Sequence, residues 1–88
     1  MIAYVLINTN PEVIDEVLGL VKKIDNITEA HAVHGIYDIV AKIEAETIEG
    51  LKSTVTWKIK QLYGIRSAFI LIAKENINSS KKFYFVPA

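Results

Sequence analysis

The residues best suited to chemistry in this chain lie close together, between positions 31 and 38. His31 and His34 are its two histidines, and paired imidazoles can bind a metal ion or exchange protons. Both fall in a segment predicted to be a β-strand, where successive side chains point to opposite faces of the sheet. A spacing of three therefore separates the two imidazoles, and we expect neither a metal site nor a catalytic pair.

Gly35 lies in the predicted turn that follows this strand, and Asp38 lies just after it. Asp38 can accept a hydrogen bond from turn backbone, which is a common role for Asp, or from the ammonium group of a ligand. Gly35 suits a turn, and it also exposes neighbouring backbone N–H groups that can hold a carboxylate. His34 lies beside the turn and is the histidine better placed to contact such a ligand.

The composition argues against several other functions. The chain has no cysteine and a single arginine, and it has no nucleophile–base pair or glycine-rich phosphate loop. Its ten basic and ten acidic residues cancel and are interspersed, so the basic face that neutralises nucleic-acid phosphates is missing. No signal peptide is recognisable, and no apolar run approaches the roughly 18–20 residues of a membrane span. We expect a cytoplasmic protein that is not an enzyme and uses no cofactor.

Hydrophobic periodicity predicts the elements that position these residues. Alternating and β-branched runs indicate four strands, and apolar residues at helical spacing indicate two helices. Asn10 and Thr47 are suitable N-caps, Gly64 is a natural helix end, and Gly35-Ile36 fits a two-residue type II′ turn. The predicted order is strand 2–8, helix 11–24, strand 27–34, strand 37–45, a helix between residues 47 and 64, and strand 65–73.

This βαββαβ order predicts an α+β fold of the ferredoxin-like type, an antiparallel sheet with both helices on one face. The first and last strands are apolar on both faces, and 51% of the chain is hydrophobic. Since two small helices cover only one face, we expect the face that carries Tyr4 and Phe69 to pack against a second copy as a dimeric α/β barrel. Trp57 falls on the outward side of the second helix, where another chain or the C-terminal tail would cover it.

Three segments of the chain resemble the effector-binding domain of the Lrp/AsnC regulators, also called the RAM domain. They are AYVLINT at 3–9, VHGIYDIVAK at 33–42 and LYGIRS at 62–67, in this order on the βαββαβ frame. The resemblance covers residues 1–75 and leaves 76–88 as a C-terminal tail with a possible extra edge strand. Because the chain begins at the first strand, it resembles the stand-alone version without the family's helix-turn-helix.

The resemblance implies an oligomerising module of transcription regulation that senses an amino acid. In that family the sheets pack into dimers, the dimers assemble into rings that are often octamers, and effectors bind between neighbouring dimers. Such a chain has no direct contact with nucleic acid or a membrane. It could still join the assembly of a full-length Lrp/AsnC regulator.

The resemblance also assigns ligand contacts. The loop carrying Gly35, Ile36, Tyr37 and Asp38 corresponds to the family's ligand-contacting loop. Ala68 and Ile70, from a neighbouring dimer, are expected to close the site. They stand where threonines are common in the family. We therefore expect an aliphatic or aromatic ligand side chain, because a polar group would be left without a partner there.

Two other functions share this topology and stay open on the sequence. A dimeric α/β-barrel enzyme of the monooxygenase type requires an enclosed cavity inside each monomer, lined by His31 or another polar residue. An amino-acid-sensing ACT domain places its pocket at a side-by-side helix and strand interface. The location of the pocket separates these alternatives.

Overall fold

The computed structural model describes residues 1–75 and 81–87, with side chains described for residues 1–73. Five strands form one antiparallel sheet in the order β2-β3-β1-β4-β5. The strands are β1 (Ile2–Thr9), β2 (Ile27–Ala32), β3 (Ile39–Glu44), β4 (Ile65–Glu75) and β5 (Lys81–Pro87). The helices are α1 (Ile14–Lys22), preceded by a 3₁₀ turn at Pro11–Val13, and α2 (Ile48–Ser53), continued by a π-helical segment at Thr54–Ile59.

The first four strands have the predicted ferredoxin-like arrangement. β1 is central and pairs antiparallel with both β3 and β4, and β2 pairs with β3. β5 pairs with the outer edge of β4, with Phe85 opposite Leu71. The prediction of a ferredoxin-like α+β fold is confirmed. The polar start of the predicted tail falls largely outside the described residues.

One face of the sheet and the helices enclose the core. Burial alternates strictly along β1, as the period of a strand requires. Val17 and Val21 of α1, one helical turn apart, are buried on it, as are Leu51 and Val55 of the second helix. The fully buried members of the core are Ala3, Val5, Ile7, Val21, Ile39, Ala41, Ile43, Leu51, Val55, Ile59 and Ile70.

Side chains cap both helical segments as predicted. Asn10 Oδ1 accepts from the Glu12 amide at 3.1 Å, and Thr47 Oγ1 accepts from the Gly50 amide at 3.0 Å. Each bond satisfies one of the amides that lack a partner inside the helix. The second helix departs from the expected α-helix, because the Lys60 amide donates to Val55 O, five residues back. That segment is rich in β-branched residues, which crowd the preceding turn of an α-helix.

The opposite face of the sheet carries no helix, and we call it the uncovered face. Its large side chains are half-buried within one chain. Its large apolar residues are Tyr4 and Leu6 of β1, Val40 of β3, and Phe69 and Leu71 of β4. Its apolar character agrees with the two-sided pattern of the sequence.

The turn between β2 and β3 is longer than predicted. β2 ends at Ala32 and β3 begins at Ile39, so residues 33–38 form a loop in place of a two-residue type II′ turn. The Val33 amide donates to Asp38 O, and the Asp38 amide donates to Ile7 O of β1, both at 2.9 Å. These two bonds join the ends of the loop to each other and hold Asp38 against the end of β1.

Candidate functional site

A cleft lies between the start of α1 and the 33–38 loop. Its volume is about 590 Å³, within the range of small-molecule sites. β1 and β2 both run antiparallel to β3, so the connection after β1 and the loop after β2 meet at the same end of the sheet. The lining residues are Pro11, Glu12, Ile14, Asp15, Glu16, Ala32, Val33, His34, Gly35 and Asp38.

Asp38 anchors the loop wall of this cleft. Its Oδ2 accepts from the amide of buried Thr9 at 2.9 Å, in addition to the backbone bond between its own amide and Ile7 O. Asp38 therefore accepts a hydrogen bond from backbone, as one of its two predicted roles requires, but the donor belongs to β1 and not to the turn. The second carboxylate oxygen, Oδ1, has no hydrogen-bond partner among the described residues, so a ligand role remains open to it.

Gly35 gives the loop its shape. Its φ is +138°, a conformation that other residues rarely adopt. The amides of His34, Gly35 and Ile36 donate no backbone hydrogen bond within the described chain. Adjacent amides without a protein acceptor are the donors that a carboxylate needs.

The middle of the loop does not line the cleft. Ile36 is 86% exposed, and the Tyr37 ring packs edge-on against Phe69 with 6.1 Å between ring centroids. Phe69 belongs to the uncovered face, so Tyr37 lies on the other side of the sheet from the cleft. The structure thus brings His34, Gly35 and Asp38 together and separates Ile36 and Tyr37 from them.

Ala68 and Ile70 do not offer ligand contacts on the protomer surface. They are 2% and 0% exposed and lie in the core. Their β1 partners are Ile7 and Val5, which are also buried. Their burial does not support the expectation that they close the site and select an apolar ligand. The helices cover this face of β4, and the prediction that Ala68 and Ile70 contact a ligand stays a prediction.

The two histidines lie in different surroundings. The exposed His31 belongs to β2, with its Nε2 3.8 Å from Glu29 Oε1. His34 lies beyond the end of β2, in the loop, and lines the cleft, so the strand alternation that was expected to separate the two does not apply to it. No group of three potential metal ligands occurs among the described residues. The His31 side chain is 69% exposed, so it is not the residue that would line an interior cavity in the enzyme alternative.

The predicted interface residues differ in their surroundings. Tyr4 and Phe69 lie half-buried on the uncovered face, whereas Trp57 is 70% exposed on the outer side of the second helix. Tyr63 is 78% exposed at the end of the same helix. Among the described helices, none is long and apolar enough to cross a membrane.

One wall of the cleft was not predicted from the sequence. This wall is formed by the 3₁₀ turn and the first turn of α1, with Pro11 and Ile14 as its apolar members. Its acidic residues, Glu12, Asp15 and Glu16, fit the ordinary pattern of a helix start. The feature of the sequence that could have indicated this wall is the predicted order of strands and helices. In a βαββαβ fold the connection from the first strand to the first helix and the hairpin between the second and third strands lie at the same end of the sheet.

Replacing Asp38 with alanine is expected to destabilise the fold. The Asp38→Ala change leaves the buried Thr9 amide without an acceptor, which costs about 1–3 kcal/mol. Asp38→Asn keeps an acceptor oxygen and should cost clearly less. Urea unfolding of the three proteins at one protein concentration measures the difference. Equal stability of Asp38→Ala and the native chain would contradict a structural role for this bond.

The chain matches a known family over nearly its whole length. A family model described as the Lrp/AsnC ligand binding domain matches residues 2–83. A protein of known structure from Thermus thermophilus is 27% identical with a TM-score of 0.81, over 85% of this chain and 94% of that one. A Pyrococcus horikoshii protein is 28% identical with a TM-score of 0.78, over 89% and 95% of the two chains.

AsnC of E. coli is also similar to this chain. It is 25% identical with a TM-score of 0.80, over 86% of this chain and 52% of AsnC. The chain therefore corresponds to about half of AsnC. No curated protein sequence gives a significant match.

Proposed function

Because the chain belongs to the family of Lrp/AsnC ligand-binding domains, we propose that it senses an amino acid and oligomerises through its sheet. Domains of this family are regulatory modules that bind effectors, and they are not typically enzymes. The observation that carries the proposal is the cleft bounded by the loop with Gly35 and Asp38, the loop that resembles the family's ligand-contacting segment.

The cleft has groups for both ends of an amino acid. The open amides around Gly35 can donate to the ligand carboxylate, as a backbone nest does. Asp38 Oδ1 can accept from the ligand ammonium while Oδ2 stays bound to Thr9. Hydrogen bonds between charged groups are the stronger kind, so this pairing would fix the orientation of the ligand.

The uncovered face supports the oligomeric part of the proposal. An exposed apolar sheet face is costly in water, and pairing it with the same face of a second copy is the simplest way to bury it. The dimers then assemble into a ring, with an octamer as the expected size, and a neighbouring dimer closes the cleft. Exposed Ile36 and Trp57 are available for contacts between dimers.

In this function the chain acts through other proteins. Its formal net charge is zero, which provides no electrostatic attraction to nucleic-acid phosphates. Assembly with a full-length Lrp/AsnC regulator would couple effector binding in the cleft to a DNA-binding partner. Co-purification of a tagged chain with such a regulator, with and without effector, tests this coupling.

A thermal-shift screen over the twenty amino acids tests the sensing function. A ligand present at ten times its Kd stabilises the folded state by about 1.4 kcal/mol, which raises Tm by about 5 °C or more in a domain of this size. Asp38→Asn should lose the shift, because it removes the charge that faces the ammonium yet keeps an acceptor for Thr9. If no amino acid shifts Tm at millimolar concentration, the chain is an assembly module without a working pocket.

A further inference from the structure

The charges of this chain cancel overall but are divided unequally between its two halves. Residues 1–49 contain nine of the ten acidic residues and three of the ten basic ones, whereas residues 50–88 contain one and seven. The acidic half builds α1, β2 and β3, and the basic half builds most of the second helix, β4 and β5. Two copies of such a chain attract each other wherever the acidic half of one meets the basic half of the other.

A surface that combines aromatic and cationic side chains lies at the end of the second helix, and we call it the aromatic surface. Trp57 and Tyr63 are 70% and 78% exposed, and Lys58 and Lys60 are exposed beside them. Trp57 and Lys60 are three residues apart and lie on the same side of the helical segment. Trp and Tyr are the residue types that contribute most binding energy at protein interfaces, so this surface is suited to a protein partner.

A second surface, with apolar side chains and the opposite charge, borders the mouth of the cleft, and we call it the loop surface. Ile36 and Val33 of the 33–38 loop are its large exposed apolar residues. Glu12 and Glu16 lie across the cleft from this loop and are exposed. The loop surface thus has what the aromatic surface lacks, an apolar contact flanked by carboxylates.

The two surfaces adjoin at one end of the sheet. The Asn10 amide donates to Gly64 O at 2.8 Å, and a Cβ added at Gly64 would lie 2.5 Å from Val13 Cγ2. The start of α1 is therefore packed against the turn that follows the second helix. Adjoining surfaces of opposite charge are self-complementary about a two-fold axis, because each surface of one copy then meets the other surface of its neighbour.

We infer that this end of the sheet binds the same end of a second copy, with the aromatic surface of each chain on the loop surface of the other. This inference rests on the oligomeric part of the proposed function and names the surfaces between dimers. A neighbour placed in this way covers the cleft with Trp57 and the two lysines. A nucleic acid or an unrelated acidic protein would use the aromatic surface alone, whereas a second copy accounts for both surfaces.

The contact depends on the dimer that the uncovered face forms. Ion pairs between exposed side chains contribute little in water, so a single contact of this kind between two monomers is weak. A sheet dimer presents two such ends, and binding at both multiplies the effect. We therefore expect the native chain in low salt to sediment as an assembly larger than a dimer.

Charge reversal on each surface tests this pairing. Lys58→Glu with Lys60→Glu makes both surfaces negative, and Glu12→Lys with Glu16→Lys makes both positive. Each variant alone brings like charges together, and we expect association between dimers to weaken at least about thirtyfold in low salt while the sheet dimer persists. An equimolar mixture of the two variants should recover the larger assembly, because opposite charges then face each other again. Sedimentation velocity measures all three samples.

Two further variants separate the contributions of charge and of the aromatic side chain. Lys22→Glu with Lys23→Glu makes the same change in net charge at the other end of α1 and should leave the native assembly unchanged. Trp57→Ala removes an exposed side chain and should weaken association between dimers without changing the fold. Circular dichroism establishes that each variant is folded.

The remaining outcomes would overturn the inference in distinguishable ways. A larger assembly that neither charge reversal disrupts would show that the dimers associate through other surfaces. Disruption by the lysine changes but not by the glutamate changes would exclude the loop surface as the partner of the aromatic surface. A native chain that forms only dimers in low salt would exclude this contact and leave the sheet dimer intact, whereas a monomeric native chain would overturn the sheet dimer as well.

Discussion

Aspartate at position 69 is expected to convert a dimer of this chain into monomers. Phe69 lies near the middle of β4 on the uncovered face, half-buried beside Tyr37. In a two-fold dimer each copy would bury one added carboxylate without a partner, at a cost of several kcal/mol. We expect dimerisation to weaken by at least about a hundredfold, because each 1.4 kcal/mol corresponds to a factor of ten. Sedimentation velocity at micromolar concentration measures the change.

Two further variants make this result interpretable. Arg66→Asp places the same residue at an exposed site on the same strand and should leave the dimer intact. Tyr4→Asp, on the neighbouring strand of the uncovered face, should behave like the change at Phe69. Circular dichroism establishes that each variant is folded. A native chain that sediments as a monomer, or a folded Phe69→Asp variant that remains dimeric, would refute sheet-to-sheet assembly.

Gly64→Ala is expected to destabilise the fold strongly, and more than Gly35→Ala does. Gly64 has φ +88°, and a Cβ built there would lie 2.5 Å from Val13 Cγ2. The backbone conformation costs a non-glycine residue about 1–2 kcal/mol, and overpacking costs about 1–3 kcal/mol more. We therefore expect a loss of about 2–5 kcal/mol in the free energy of unfolding, measured by urea denaturation at one protein concentration.

A comparison of glycines separates the two contributions. Gly35 also has a positive φ of +138°, but an added Cβ would meet nothing within 4 Å, so Gly35→Ala should show the backbone cost alone. Adding Val13→Ala to Gly64→Ala removes the clashing methyl group, and a double-mutant cycle should show a favourable interaction between the two changes. Equal effects of alanine at both glycines, with no coupling to Val13, would exclude the steric contribution.

Local patterns predicted the parts of this protein that depend on local physics. The strict alternation in β1 and the cap at Asn10 follow from side-chain period and backbone sterics, which act over a few residues. The βαββαβ order follows from the sequence of such elements, and that order predicts both helices on one face of the sheet. The two-sided apolar character of β1 and β4 predicts that the other face is apolar as well.

The candidate site depended on contacts between distant parts of the chain. The bonds that join Asp38 to Ile7 and Thr9 hold the loop against the end of β1, and no short-range pattern contains them. Packing of the helices on one face of β4 places Ala68 and Ile70 in the core, where a motif alone had suggested ligand contacts. The acidic wall of the cleft arises because antiparallel pairing places the start of α1 beside the 33–38 loop. The sequence by itself determined which elements form. Tertiary packing decided which side chains face the cleft, because the exposure of a side chain depends on what covers it and not on its neighbours in the chain.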